Sequence, residues 1–137
     1  MNEPESIEAP MMAAGNVTTE TLLRATASWN NVPYQAYPEG APEISVLKIT
    51  LPAKCVLRWH EHPMPTAAYV LSGEITVEEP DGKTQHFTAG QVIPEPVNTV
   101  HRGTVGDTDA VFIVFYAGVK EMPLANINDS ESDFCRQ

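Results

Sequence analysis

Short alternating or wholly apolar runs, cut by Gly, Pro and Asp, fill the chain from Glu43 onward. They are Ile44 to Leu51, Cys55 to His60, Ala67 to Leu71, Glu74 to Glu78, Thr84 to Phe87, Gln91 to Pro94, Thr99 to Val105 and Ala110 to Ala117. A period of two marks a strand with one face buried, and runs at this spacing predict an all-β barrel or sandwich with little room for helix. Asp81-Gly82 falls between two runs and suits a type I′ hairpin, whose central residues need positive φ. Ala110 to Ala117 is an apolar run, so both its faces should be covered, whereas a barrel wall covers only the inner one. The N-terminal arm or a second subunit is expected to supply the outer cover, and a homodimer is the expectation.

Ahead of these runs the pattern is looser. Met1 to about Thr26 is polar and Ala-rich, with at most a short helix around Thr19 to Thr26 that Thr18 or Thr19 would cap. Pro33, Pro38, Gly40 and Pro42 then break any helix and suit an extended edge segment with turns. The organisation read from this is an N-terminal arm over 1–28, one barrel domain over 29–125 and a polar tail over 126–137. A chain of 137 residues suits a single domain, whose core can bury about two thirds of the unfolded surface.

Charge narrows the partners. A formal net charge of −10 with only eight Lys and Arg repels phosphate backbones, so nucleic acid is not expected. Much of the acidity lies near the ends and in turns, as in Glu3, Glu5, Glu8, Asp129, Glu131 and Asp133, and reads as a solvated face. No stretch has the roughly 18 consecutive apolar residues of a membrane helix. Met1 to Gly15 lacks the basic and apolar regions of a signal peptide. A soluble, cytoplasmic protein is expected, with a periplasmic or secreted one left open if a leader has been removed. Cys55 and Cys135 have no neighbours at zinc-site spacing and are expected to be independent free thiols.

Candidate chemistry lies in the histidines. His60 and His62 are two apart, so in a strand both imidazoles point to one side. His101 ends another predicted strand, and a barrel can bring it to the same point. Imidazole suits iron, zinc, nickel, copper and manganese, and three on one side leave positions open for water, substrate or oxygen. A lone His-x-His is weak evidence, so the surrounding pattern matters.

That pattern reads His60-Glu-His-Pro-Met-Pro-Thr-Ala-Ala-Tyr-Val-Leu-Ser-Gly73, then Gly90-Gln-Val-Ile-Pro-Glu-Pro-Val-Asn-Thr-Val-His101. In both stretches it resembles the signature motifs of the cupin family, over about residues 43 to 118. The resemblance implies a cupin-type double-stranded β-helix, a jelly-roll barrel, here with an extended N-terminal arm. It also implies that His60, His62 and His101 are ligands of a divalent transition metal, iron foremost, with manganese, nickel or zinc as alternatives.

Departures from the family pattern are informative. Lys54 stands where the first motif opens with Gly, and Asn98 replaces the Gly of the second. Asn is the non-glycine residue that best tolerates a left-handed turn, so Asn98 should keep the backbone shape. Val105 occupies the place of a frequent Asn, with no evident chemical consequence. Thr66 sits where the metal-binding Glu of the family would be, and Thr is a poor ligand. Three neutral histidines leave the full +2 of the metal, which favours an anionic or bidentate oxygen substrate such as an enolate or carboxylate. Some cupin dioxygenases resemble this three-histidine arrangement.

Glu95 interrupts the apolar strand end Val92 to Val97, six residues before His101. It is the candidate catalytic residue, either a fourth ligand in place of the missing Glu or a general base, with a solvent-facing rim Glu as the bland alternative. His86 is expected to be exposed, Arg58 to form a rim salt bridge or present its charge to an anionic substrate, Tyr69 to pack, and Trp59 to cover the outer face. The expected function is a metal-dependent, dioxygenase-like enzyme acting on a small oxygenated molecule. The alternatives are a non-catalytic small-ligand binding or sensing protein, and a metal-dependent isomerase or hydrolase.

Overall fold

The computed structural model describes residues 15–127 and 135–136. The described residues contain no helix and eleven strands. These are β1 (Pro42–Leu51), β2 (Val56–Leu57), β3 (His60–Glu61), β4 (Thr66–Ser72), β5 (Glu74–Glu78), β6 (Thr84–Thr88), β7 (Val92–Glu95), β8 (Arg102–Val105), β9 (Ala110–Val119), β10 (Asn126–Ile127) and β11 (Cys135–Arg136). One sheet runs β1-β9-β4-β7, the other runs β11-β2-β8-β5-β6, and β10 pairs with β3. All pairings between these strands are antiparallel, and the two large sheets form the jelly-roll expected from the alternating pattern.

Inward-facing alternate positions build the core. Val70, Ile75, Val77, Phe87, Ile93, Val105, Phe112 and Val114 are buried, with Leu47 and Ile49 packed against them. The β1–β9 pairing matches Leu47 with Val114 and Ile49 with Phe112. A one-residue slip would turn both inward side chains of β1 to solvent and lose about 1.5–3 kcal/mol for each, which fixes the register.

The outer face of β9 is only partly covered. Val111 and Ile113 are half-buried and Phe115 is exposed. Leu23 and Ala25 of the N-terminal arm, with Tyr34 and Tyr37 beyond it, line one groove with Phe115 and Ala117, so the arm supplies part of the expected cover. The short helix considered for Thr19 to Thr26 does not form. Instead Ala27 bridges Pro33, and Tyr34 N–H donates to Thr26 O at 2.9 Å. Trp29 N–H then donates to Pro94 O at 2.9 Å, and the Tyr34 hydroxyl to Glu95 O at 2.7 Å. The stretch just after the arm therefore grips β7.

Two local expectations need correction. The hairpin between β5 and β6 is present, but its turn is not type I′: Gly82 has φ 99°, whereas Asp81 is not left-handed. Glu79 O accepts from Gly82 N–H at 2.9 Å, and Glu79 N–H donates to Lys83 O at 2.8 Å. Pro80 pre-sets the first central position of an ordinary turn, and Gly82 takes the left-handed residue after it. The cysteines are not free thiols: Cys55 and Cys135 form a disulfide across 80 residues of sequence. Spacing along the chain hid this, because the pairing follows from β11 lying antiparallel to β2 with Cys135 opposite Leu57.

The two motif departures behave as glycines would. Lys54 has φ 64° and Asn98 has φ 54°, both left-handed. Gly73 keeps the family residue, with φ 82°, and a Cβ there would lie 2.6 Å from Asp109 O.

Asn98→Gly is expected to leave stability nearly unchanged, whereas Asn98→Val costs about 1–2 kcal/mol in chemical denaturation, since a β-branched residue resists this backbone region. Cys135→Ser should lower the unfolding free energy by about 2–4 kcal/mol, read in the same way without reductant.

Candidate metal centre

Backbone geometry brings the first two histidines together. His60 N–H donates to His101 O and His101 N–H to His60 O, each at 2.9 Å. Residues that exchange both bonds across an antiparallel pair present their side chains on one face, and the two ring centroids lie 4.5 Å apart. Strand alternation adds His62, whose ring centroid is 5.0 Å from that of His60 and 5.2 Å from that of His101. The left-handed turn at Asn98 holds the third stretch in place, with Asn98 N–H donating to His62 O at 2.8 Å. One ring nitrogen from each of the three lies within 4.8 Å of the others.

Main-chain carbonyls fix how the rings are turned. Nδ1 of His60 meets Arg58 O at 2.7 Å, Nδ1 of His62 meets Leu124 O at 2.9 Å, and Nδ1 of His101 meets Thr99 O at 2.8 Å. A carbonyl only accepts, so each Nδ1 carries the proton and each neutral ring keeps its lone pair on Nε2. This is the outer-shell arrangement that orients a metal-ligating imidazole. His101 Nε2 is buried and lacks a hydrogen bond of good geometry, as does the Glu95 Oε1 atom beside it. The donor set thus suits one transition-metal cation.

Glu95 faces the centre. Its Oε1 lies 3.3 Å from His101 Nε2, and its side chain is 12% exposed, so it is not a rim residue. It is not part of the mutual cluster, which consists of the three histidines. Opposite it across β4 and β7 stands Thr66, whose hydroxyl donates to Met64 O at 3.0 Å and which does not line the cavity that holds the histidines. The family position on β4 therefore carries no ligand, and a carboxylate reaches the same region from the neighbouring strand. With Glu95 ionised, the charge beside a divalent ion is lower than three neutral histidines alone would leave.

Electrostatics follow from burial and proximity. Burial pushes His60 down to about 4, with the nearby His101 adding to it, so this ring is neutral near pH 7. His62 is lowered, by burial first. Burial alone would lower His101, but the Glu95 carboxylate beside it outweighs burial and leaves His101 raised. Burial alone would raise Glu95, but His101 and then the other two histidines pull it below the usual carboxylate range, so it is ionised at neutral pH.

Several contributors were not singled out by sequence reasoning. Tyr116 stacks edge-on to His62 at 5.8 Å between centroids, and its hydroxyl is pushed up to about 12 by burial and then by Glu95. Its signal was available: it is the one hydroxyl in the run Ala110 to Ala117, at the parity of the buried residues. Leu124 acts only through its carbonyl, which no side-chain pattern reveals. Both line a cavity of about 280 Å³ together with the three histidines and Glu95.

The remaining candidates lie where packing puts them. Arg58 contributes to the cavity wall. Trp59 is covered by the Arg102 guanidinium at 4.3 Å, which also donates to Glu78 Oε1 at 3.1 Å. Tyr69 is half-buried. His86 is exposed beside Glu74 Oε1 at 2.7 Å, on the β5–β6 hairpin and outside the cluster.

A family model described as a cupin domain matches residues 47–116. No curated protein sequence matches at a significant level. Among solved structures, the DMSP lyase DddQ from Ruegeria pomeroyi DSS-3 is 18% identical with a TM-score of 0.55, over 62% of this chain and 43% of that one. A cupin-like protein from Thermotoga maritima is 18% identical with a TM-score of 0.54, over 64% of this chain and 65% of that one. The polyketide cyclase RemF from Streptomyces resistomycificus is 22% identical with a TM-score of 0.54, over 66% of this chain and 63% of that one. The chain spans less than two thirds of these relatives, and at such identities the likeness is one of fold.

His101→Ala should purify without stoichiometric metal while keeping the far-ultraviolet circular dichroism of the wild type, as elemental analysis of both proteins checks. Glu95→Gln, which keeps shape and removes charge, is expected to weaken metal affinity by about 10–100-fold in a chelator competition.

Proposed function

Because the chain belongs to the cupin family, we propose that it is a metal-dependent enzyme that oxygenates a small oxygen-bearing molecule. In this reading His60, His62 and His101 hold one divalent transition metal, iron by preference and manganese, nickel or zinc otherwise. The observation that carries it is the set of three Nδ1 atoms bonded to main-chain carbonyls, which aims three lone pairs into one cavity. When bound, the metal supplies a Lewis acid for substrate oxygens and, if it is iron, the electrons that oxygen chemistry needs.

The residues of the chain do the rest. Glu95 is ionised and beside the cluster, where it takes a proton from a bound hydroxyl or from carbon next to a carbonyl. Tyr116 stays protonated, because its pKa is raised, and donates a hydrogen bond to a substrate oxygen. Leu124, through its carbonyl, holds His62 in register. The Cys55–Cys135 disulfide favours an oxidising compartment over the cytoplasm within this reading.

Glu95 also supports a second reading, proton transfer without oxygen, as in isomerisation or elimination. One experiment separates the two. Protein loaded with Fe(II) under anaerobic conditions is mixed with a panel of small diketones, phenols and hydroxy acids, and oxygen uptake is followed beside substrate loss. The proposal predicts uptake in step with substrate loss, and a decrease in rate of about a hundredfold or more in Glu95→Gln that retains its metal. Substrate loss without uptake transfers the assignment to the second reading, and no turnover of any substrate leaves a binding protein.

A further inference from the structure

The wall beneath the metal layer is hydrocarbon, and this bears on what the site accepts. Because side chains on a strand alternate, the next inward position lies two residues from each site residue. From Thr66 that step leads to Ala68, from Glu95 to Ile93, from Tyr116 to Val114 and from His101 to Gly103. The strand registers set Leu47 opposite Val114 and Val77 opposite Gly103. All six line the cavity, and none carries a side-chain polar atom. The polar lining residues are the three histidines, Glu95 and Tyr116 around the centre, with Arg58 and Arg102 on the β2–β3 and β8 stretches beside them.

Two of the six positions create the hollow. Ala68 is buried between the larger Ile93 and Val114. Gly103 leaves room for Ile75: a Cβ at Gly103 would lie 2.6 Å from Ile75 Cδ1, so any side chain there displaces Ile75, which also lines the cavity. A charged group in this layer would be buried against hydrocarbon with no partner, at a cost of several kcal/mol.

We propose that the substrate is a small amphiphile, with one oxygen-bearing head for the metal layer and a short, uncharged hydrocarbon body in the hollow beneath. Ala68 and Gly103 gauge the length of that body. The inference rests on the metal-site reading above and adds the substrate class.

The test uses metal-loaded full-length protein, with metal content confirmed by elemental analysis, and straight-chain hydroxamates from acetohydroxamate to octanohydroxamate. Their shared head chelates a divalent cation through two oxygens, so only the body varies. Calorimetric affinity is expected to rise about fourfold per methylene until the hollow is full. A hydroxamate of equal length ending in a carboxylate should bind at least about a hundredfold more weakly. Ala68→Leu and Gly103→Ala should each shorten the chain at which affinity stops rising; two independent variants are used, with thermal melts to confirm folding. Affinity independent of length, equal binding of the carboxylate-ended probe, or no binding by metal-loaded protein overturns the inference and leaves the metal site standing. A folded chain that retains no metal overturns both.

Discussion

Two reciprocal main-chain hydrogen bonds between His60 and His101 hold the site together, and the fold around them maintains that pairing. They join stretches forty-one positions apart in the sequence (101 − 60) and set both rings on one face. Ring orientation is settled by a second layer, the carbonyls of Arg58, Thr99 and Leu124, which take the Nδ1 protons. Neither layer depends on a side chain other than the histidines themselves. A site specified this way tolerates change in the surrounding side chains, provided the backbone keeps its path. The left-handed residues Lys54 and Asn98, at motif positions where glycine is usual, are consistent with that constraint.

The carboxylate illustrates the same tolerance. Thr66 points its hydroxyl at Met64 O and does not line the cavity that holds the histidines. Glu95, directly across the β4–β7 ladder, reaches the centre instead. Its strand is anchored from outside by Trp29 and Tyr34, so the stretch that follows the arm helps to position a group in the cavity. The C-terminal segment contributes similarly. Asn126 and Ile127 pair with Glu61 and His60, Leu124 holds His62, and the disulfide ties the following strand to β2.

Much of this was legible in the sequence, for identifiable reasons. Strands such as β1 and β5 follow a period of two that solvent and core enforce, and His60 and His62 share parity by the same rule. Their partnership with His101 came from the spacing of both motifs rather than from periodicity. What was hidden depends on contacts between distant segments. Cys55 and Cys135 lie 80 residues apart and meet only because β11 docks on β2. The direction of Glu95 was obscured by Pro94 and Pro96, which make strand parity unreliable. The turn after β5 followed Pro80 rather than the Asp-Gly pair alone. Tyr116 was overlooked because its neighbours in β9 are apolar, although its parity with Phe112 and Val114 placed it inside.

X-ray absorption at the metal edge of reconstituted protein tests the central claim most directly. The account predicts one metal per chain with three imidazole nitrogens at about 2.0–2.1 Å and the remaining positions filled by oxygen. Fewer than three imidazoles around a stoichiometric metal, or sulfur in its shell, would contradict it.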